Sequence, residues 1–395
     1  MKRSFLTGLI LLALFFCPPL KAATIRVEKD GSGDYTVIQD AVDAASDGDV
    51  IMIGPGRFDD ITTDPQHGDF RVLLYGDKSL TLKGSGIDQT IIGPESYEGT
   101  NRDWGIYSYS GMVSTKIQGI CFENLDHSGV FLDCYEVELE NCQFINCNDS
   151  FSFFGNGPGS VRSSRFVSDN TSFPTAMFFR GSSVEVTDVE VVGFSTGIQC
   201  EGGTNDIVIS DCLFDGAGVG STGIYFFNVG GLVRRCRVQN FTSIGFECSY
   251  IRQVNLVDSV FESIIHPDGP FGRGLHLIGT GQNLVATGNI ILDCDICVVL
   301  HNPLGEHTIQ GNHFLRRDYL LARFVIADPN WDFNEVHWDF SGNYWGTTDI
   351  DEIAWFIRDA RHATGTTMYV DFLPIADGPV STECITLGGV KALFQ

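Results

Sequence analysis

Acidic, imidazole and aromatic side chains recur in this sequence at one place, just after a glycine or its equivalent in a short alternating segment. The segments are "SGVFLDC", "TGIQCEG", "TGIYFFN", "IGFECSY", "RGLHLIG" and "ICVVLHN". Read as strands, they turn Val130, Ile198, Ile224, Phe246, Leu275 and Val298 inward. Alternation then places Phe131, Gln199, Tyr225, Glu247, His276 and Val299 outward in one file. Two residues on, a second outward file holds Asp133, Glu201, Phe227, Ser249, Ile278 and His301, with Arg180 joining it. Rings that stack on sugars, beside groups that bond hydroxyls, are what a glycan groove requires. Glu201, Glu247 and His276 are one candidate acid/base set.

A second candidate set lies just ahead of these segments, at Asp126 with His127, Asp149, and Asp293 with Asp295. If Asp126 and Asp149 occupy equivalent places on successive repeats, their backbones are roughly 5 Å apart. That separation is near the retaining-glycosidase range, and it would raise one carboxyl pKa as a general acid needs. Two plainer readings stand beside these. Outward positions must be filled by something, and aspartates in turns commonly bond their own backbone.

The elements that position these residues come from a repeat. A polar residue, a turn-former, a Cys or apolar residue, any residue and a Phe, Val or Ile recur ten times, from "QGICF" (118–122) through "ENCQF", "SDCLF" and "QGNHF" to "SGNYW" (341–345). The intervals run from 22 to 31 residues. Two or three short strands per repeat, without helices between them, predict an all-β fold: a right-handed parallel β-helix with one coil per repeat. Such a solenoid needs its ends closed against edge pairing. In "TVIQDAVDAA" the residues Val37, Ile38, Ala41, Val42 and Ala45 fall on one helical face, which predicts an amino-terminal capping helix. Two long intervals carry insertions, "IIHPDGPFGRG" (264–274) and a stretch within 316–340. The first would bring His266, Asp268 and Arg273 over the sheet near His276 and His301.

The chain opens with Lys2 and Arg3, an apolar run and a small-residue step at Ala22-Ala23, the pattern of a secretory leader. Residues 1–22 are expected to be removed, leaving one solenoid domain over 23–380 and a tail of uncertain role over 381–395. The net charge is −25, and −28 once Lys2, Arg3 and Lys21 leave with the leader. That field disfavours nucleic acid and anionic membrane, and no later stretch is long enough to insert in a bilayer. A uronic polyanion would need bridging calcium or a cationic patch, for which Arg180 and Arg273 are the candidates, so neutral or amino sugars fit better. Eleven cysteines remain after the leader, most inside alternating apolar segments, where they read as small buried hydrophobes. Cys294 and Cys297 read as a local disulfide or two core thiols, not a metal site.

The segment "DGSGDYTVIQDAVDAASDGDVIMIGPGRF" resembles the amino-terminal cap of pectin-lyase-fold proteins, especially pectin methylesterases and bacterial β-helix repeat proteins. "SGNYWGTTDIDEIAWFIRDARHATGTTMYVDFLPIAD" is similar to the closing coil, with a short helix, of the bacterial group, some members of which take part in copper-enzyme maturation. The resemblance implies the fold over nearly the whole chain and leaves the activity open, because the fold hosts many. The catalytic motifs of methylesterases, pectate lyases and polygalacturonases are not intact here. The leading expectation is a secreted, cell-surface or periplasmic monomer that binds, with or without cleavage, an extracellular or cell-wall polysaccharide along its outward sheet. A non-catalytic adhesive scaffold and a periplasmic metalloenzyme-maturation factor are the alternatives, and calcium is the one cofactor to test for.

Overall fold

The computed structural model describes residues 22–378, except 65–67, 75–77, 98–102, 109–112, 170–173, 203–205, 251, 281–282, 305–306, 317–321, 328–334 and 363–365. The leader, the tail with Cys384 and parts of the second insertion therefore lie outside the described residues. Within them the chain winds into a parallel solenoid with two sheets of 23 and 13 strands. Nearly every strand pairs in parallel with its equivalent one coil on. The exception is Thr62–Asp64, which runs antiparallel along Gly68–Leu74 and covers that edge.

Each coil turns at fixed places because the repeat supplies residues that tolerate a left-handed backbone. Asn141, Ser163, Asp188, Asp211, Arg235 and Asp258, then Gly288, Gly311 and Gly342, all have positive φ at the turn-former position. Behind each bend the next side chain points inward and stitches neighbouring coils. Asn289, Asn312 and Asn343 are fully or almost fully buried there. The Asn289 amide nitrogen donates to Asn312 Oδ1 at 2.9 Å, and that of Asn312 donates to Asn343 Oδ1 at 3.1 Å. Toward the amino end Ser259, Cys236 and Cys212 continue this file, all buried. The Phe of the repeat forms the core: Phe122, Phe144 and Phe166 stack with centroids 4.9 and 4.6 Å apart.

The cap is the helix Ile38–Ala44, with Val37 as its extended N-cap. Ile38, Ala41, Val42 and Ala45 are buried as expected, but Val37 is only half-buried and Gln39 takes the inner place. Its amide has a job there: Leu73 N donates to Gln39 Oε1 at 2.8 Å and Gln39 Nε2 donates to Leu73 O at 3.1 Å. The helix thus satisfies backbone groups that an apolar lid would leave unpaired. At the other end Trp345 is buried against Phe314 and Phe324, and the helix Ile350–Trp355 follows, capped by the Asp349 side chain.

The ten described cysteines are free and buried, including Cys294 and Cys297, which settles that pair as core thiols. Burial pushes the Cys142 and Cys294 thiols up to about 12, so they are inert at neutral pH.

Candidate functional site

The 13-stranded sheet carries the predicted files in register. Val130, Phe151, Met177, Ile198, Ile224, Phe246, Leu275 and Val298 face the core and are fully buried. In the central strands the residue before this inward one must be small. A Cβ on Gly223 or Gly245 would lie 2.6 or 2.7 Å from the carbonyl oxygen of the next coil. Because two consecutive residues turn inward, there are three outward files rather than two. The extra file holds Trp104, Ser128, Asp149, Thr175, Thr196, Thr222, Ile244 and Arg273 in strand register.

The amino-terminal part of this face is aromatic. Tyr107 stacks on Phe131 at 5.2 Å, Phe131 meets Phe154 at 5.0 Å, and Phe154 meets Phe178 edge-on at 5.1 Å. Trp104 closes the ladder 4.8 Å from Tyr107 and 3.9 Å from His127. Arg180 lies over both Phe154 and Phe178, at 5.4 and 5.2 Å, and its Nη2 donates to Glu201 Oε2 at 2.8 Å. Trp104, Tyr107, Phe154 and Phe178 were missed in the sequence reading. "DWGIYS" shows the same pattern as the other segments, whereas Ser150 and Ala176 disguise the glycine position in the other two strands.

The middle of the face is polar. Gln199 Nε2 donates to Glu201 Oε1 at 2.7 Å, and Ser249 Oγ donates to Glu247 Oε1 at 3.5 Å. Tyr225 stands in file between Gln199 and Glu247, its hydroxyl pKa raised by burial and by the charges of Glu247 and Glu201. Phe227, 38% exposed, packs near Tyr225 and Tyr250. His276 Nδ1 is 3.4 Å from Glu247 Oε2, and Arg273 Nη1 lies against the same ring, 3.2 and 3.4 Å from its two nitrogens. Tyr225, Glu247, His276 and Arg273 therefore form one contiguous group of proton-carrying and charged side chains, with His276 only 7% exposed.

Asp126 and Asp149 do not form the expected carboxylate pair. The register sets Asp149 opposite Ser128, two residues past Asp126. Asp126 is 1% exposed and accepts the Asp103 backbone N–H at 2.8 Å, knitting two coils. Asp149 stands alone: its carboxylate has no hydrogen-bond partner among the described residues, and burial lifts its pKa to about 6. It also lies four strands from Glu247, roughly 19 Å at strand spacing, so the four predicted catalytic residues split between separate places. Asp293 is a turn residue with positive φ. Asp295 is buried and accepts the His266 and Gly272 backbone N–H groups, pinning the first insertion just before Arg273. His266 and Asp268 bond each other through Asp268 N and His266 Nδ1 and do not reach His276. Asp133 is exposed and His301 half-buried, both on the outward side.

Among the described residues no group of three or more His, Cys, Asp or Glu side chains is arranged to hold a metal ion. Hollows are present on the 23-stranded sheet. One of about 440 Å³ is lined by Glu136, Glu138, Arg162 and Glu185, but Lys116 pairs with Glu138 and Arg162 with Glu185. No described helix is long and apolar enough to cross a membrane.

A family model described as "Right handed beta helix region" matches residues 170–316. Among solved structures, the periplasmic alginate epimerase AlgG is similar at 10% identity over 83% of this chain and 84% of that one, with a TM-score of 0.42. A mannuronic acid specific polysaccharide family 6 lyase from human gut microbiota is similar at 9% identity over 89% and 91%, with a TM-score of 0.41. The Azotobacter vinelandii mannuronan C-5 epimerase AlgE4 A-module is similar at 13% identity over 87% and 93%, with a TM-score of 0.37. No curated protein sequence matches the chain. The family match to the central coils and the strand register agree, and the chain is a right-handed parallel β-helix protein.

Proposed function

We propose that this is an exported protein that binds an extracellular or cell-wall polysaccharide along the outward face of the 13-stranded sheet. The observation that carries the reading is the unbroken ladder Tyr107–Phe131–Phe154–Phe178, which runs across successive coils into the polar group around Glu247. Aromatic faces supply stacking area, and Gln199, Glu201, Tyr225 and Glu247 supply bonds to hydroxyls. His276, held between Glu247 and Arg273, is the group placed to pass a proton to or from a bound sugar, with Tyr225 one coil-pair away as a second proton carrier. Removal of residues 1–22 on export, and a role for the tail, belong to the same reading.

A glycan array and polysaccharide digestion with the mature chain, beside Glu247→Gln with His276→Ala, test it. Binding by the wild type that weakens in the ladder variants Phe154→Ala and Phe178→Ala supports the groove, and any cleavage should vanish in Glu247→Gln with His276→Ala. Identical behaviour of all forms on every ligand removes the groove. A second reading, a non-catalytic scaffold, draws on the neutralised charges of the 23-stranded sheet. Binding without any turnover, undisturbed by Glu247→Gln, favours it.

A further inference from the structure

The outward face of the 13-stranded sheet changes the sign of its charge along the solenoid axis. From Ser128 to Ser249 its outward files hold four acids, Asp133, Asp149, Glu201 and Glu247, against one base, Arg180, which Glu201 already neutralises. From Arg273 onward the described outward positions are Arg273, His276, Ile278, Ile296, Val299, His301, Arg323, Ile326 and Arg358, with no acid among them. In a chain of net charge −25 that end is a local inversion. The sequence reading counted only Arg180 and Arg273 as cations on this side. It missed Arg323 and Arg358 because their strands, Arg323–Ala327 and Ile357–Arg358, lack the glycine pattern of the earlier coils.

The geometry of these arginines is that of a seat for an anion. Arg273 and Arg323 stand in one file two strands apart, roughly 10 Å at strand spacing, with Ile296 between them. Arg358 lies on the next strand, opposite Ile326, exposed and with no polar side-chain partner among the described residues. Among the described residues Arg273 has no carboxylate partner, only the His276 ring. Behind them Arg316 covers the Phe356 ring at 3.5 Å, with Arg323 5.9 Å from the same ring. The Arg323 pKa is lowered by burial and by the neighbouring charges of Arg358 and Arg316, a crowding of like charges that a bound anion would relieve. Glu352 lies a loose 3.8 Å from Arg316. Guanidinium groups favour carboxylate and sulfate oxygens through paired N–H donors.

We propose that Arg273, Arg323 and Arg358 seat a single oxyanion-bearing sugar, a uronate or a sulfate ester, at one end of an otherwise neutral glycan. This rests on the glycan reading above and specifies its ligand. A uniform polyanion would set its charges against Glu247, Glu201, Asp149 and Asp133, whereas a glycan charged at one end meets opposite charge there and hydroxyl acceptors elsewhere. The sign change also orients the glycan along the sheet.

The experiment measures binding of cellohexaose, chitohexaose and mannohexaose to the mature chain, each unmodified, with one uronic acid at either end, or with one sulfate ester at either end. Polygalacturonate is the uniform polyanion. At least one glycan is expected to bind about tenfold tighter when charged at one end only. That advantage should shrink to a few-fold in Arg358→Gln and in about 0.5 M salt. It should persist in Arg162→Gln, whose cation is on the other sheet. The uronate and sulfate arms tell the two sources of the anion apart. Equal binding of charged and neutral forms overturns the seat while leaving the glycan reading intact. So does tightest binding of polygalacturonate, or an advantage that survives Arg323→Gln with Arg358→Gln in protein of unchanged melting temperature. No binding of any form overturns the glycan reading itself.

Discussion

The exteriors of the two sheets follow one construction rule and reach opposite ends. On the 23-stranded sheet several outward charges meet their opposites on neighbouring coils: Lys116 with Glu138 at 2.8 Å, Arg165 with Glu190 at 2.7 Å, Arg235 with Asp211 and Arg237 with Glu262 at 2.6 Å. On the 13-stranded sheet, among the described residues, Asp149 and Arg358 have no counter-charge and Arg273 has only an imidazole, while aromatic rings occupy the amino-terminal coils. Stacking coils places like positions about 4.8 Å apart, so an uncompensated charge there is unfavourable unless a ligand meets it. Neutralised ladders therefore read as structure and uncompensated files as a binding face.

The largest expected effect sharpens the structural side. Asn312→Leu removes a buried amide that bridges Asn289 and Asn343 and leaves the Asn289 backbone N–H without its acceptor. Denaturant unfolding should show a loss of about 3 kcal/mol. Asp149→Asn moves stability the other way. The folded pKa of Asp149 is raised to about 6 from 3.8, so the folded state holds the extra proton between those values. Its contribution favours folding at low pH and is lost as pH rises through about 6. Asp149→Asn should then stabilise by on the order of 2 kcal/mol at pH 7.5 and by little near pH 3.5, seen as a flatter melting-temperature profile against pH. A slope unchanged by the substitution contradicts the isolation of this carboxyl.

On the binding face, Phe154→Ala with Phe178→Ala should weaken glycan binding about tenfold, measured by titration calorimetry. The smallest effect is expected on the opposite sheet: Arg162→Gln breaks an exposed pair with Glu185 and should change stability by about 0.5 kcal/mol or less, with binding untouched. Should Arg162→Gln affect binding more than the ladder variants do, the contrast between the sheets collapses.

The solenoid was legible because its repeat is physical: a left-handed turn residue, an inward small or amide side chain and a core Phe, each at fixed spacing. The inward and outward files from Ile198 to Val298 followed from alternation alone. What sequence could not supply was phase across irregular coils. Asp126 and Asp149 looked equivalent but differ by two residues in register, because the turn before each strand has its own length. The aromatic ladder was hidden where Ser150 and Ala176 replace the marker glycine, and the arginine end where Phe324 does. Gln39 reads as an outlier on an apolar helix face until the Leu73 backbone it satisfies is known.

Hydroxyl-radical footprinting with a bound oligosaccharide tests the central claim most directly. The account predicts that Tyr107, Phe131, Phe154, Phe178 and Tyr225 lose reactivity together while Tyr135, exposed outside this face, stays reactive. Protection of Tyr135 with the five face residues unchanged would contradict it.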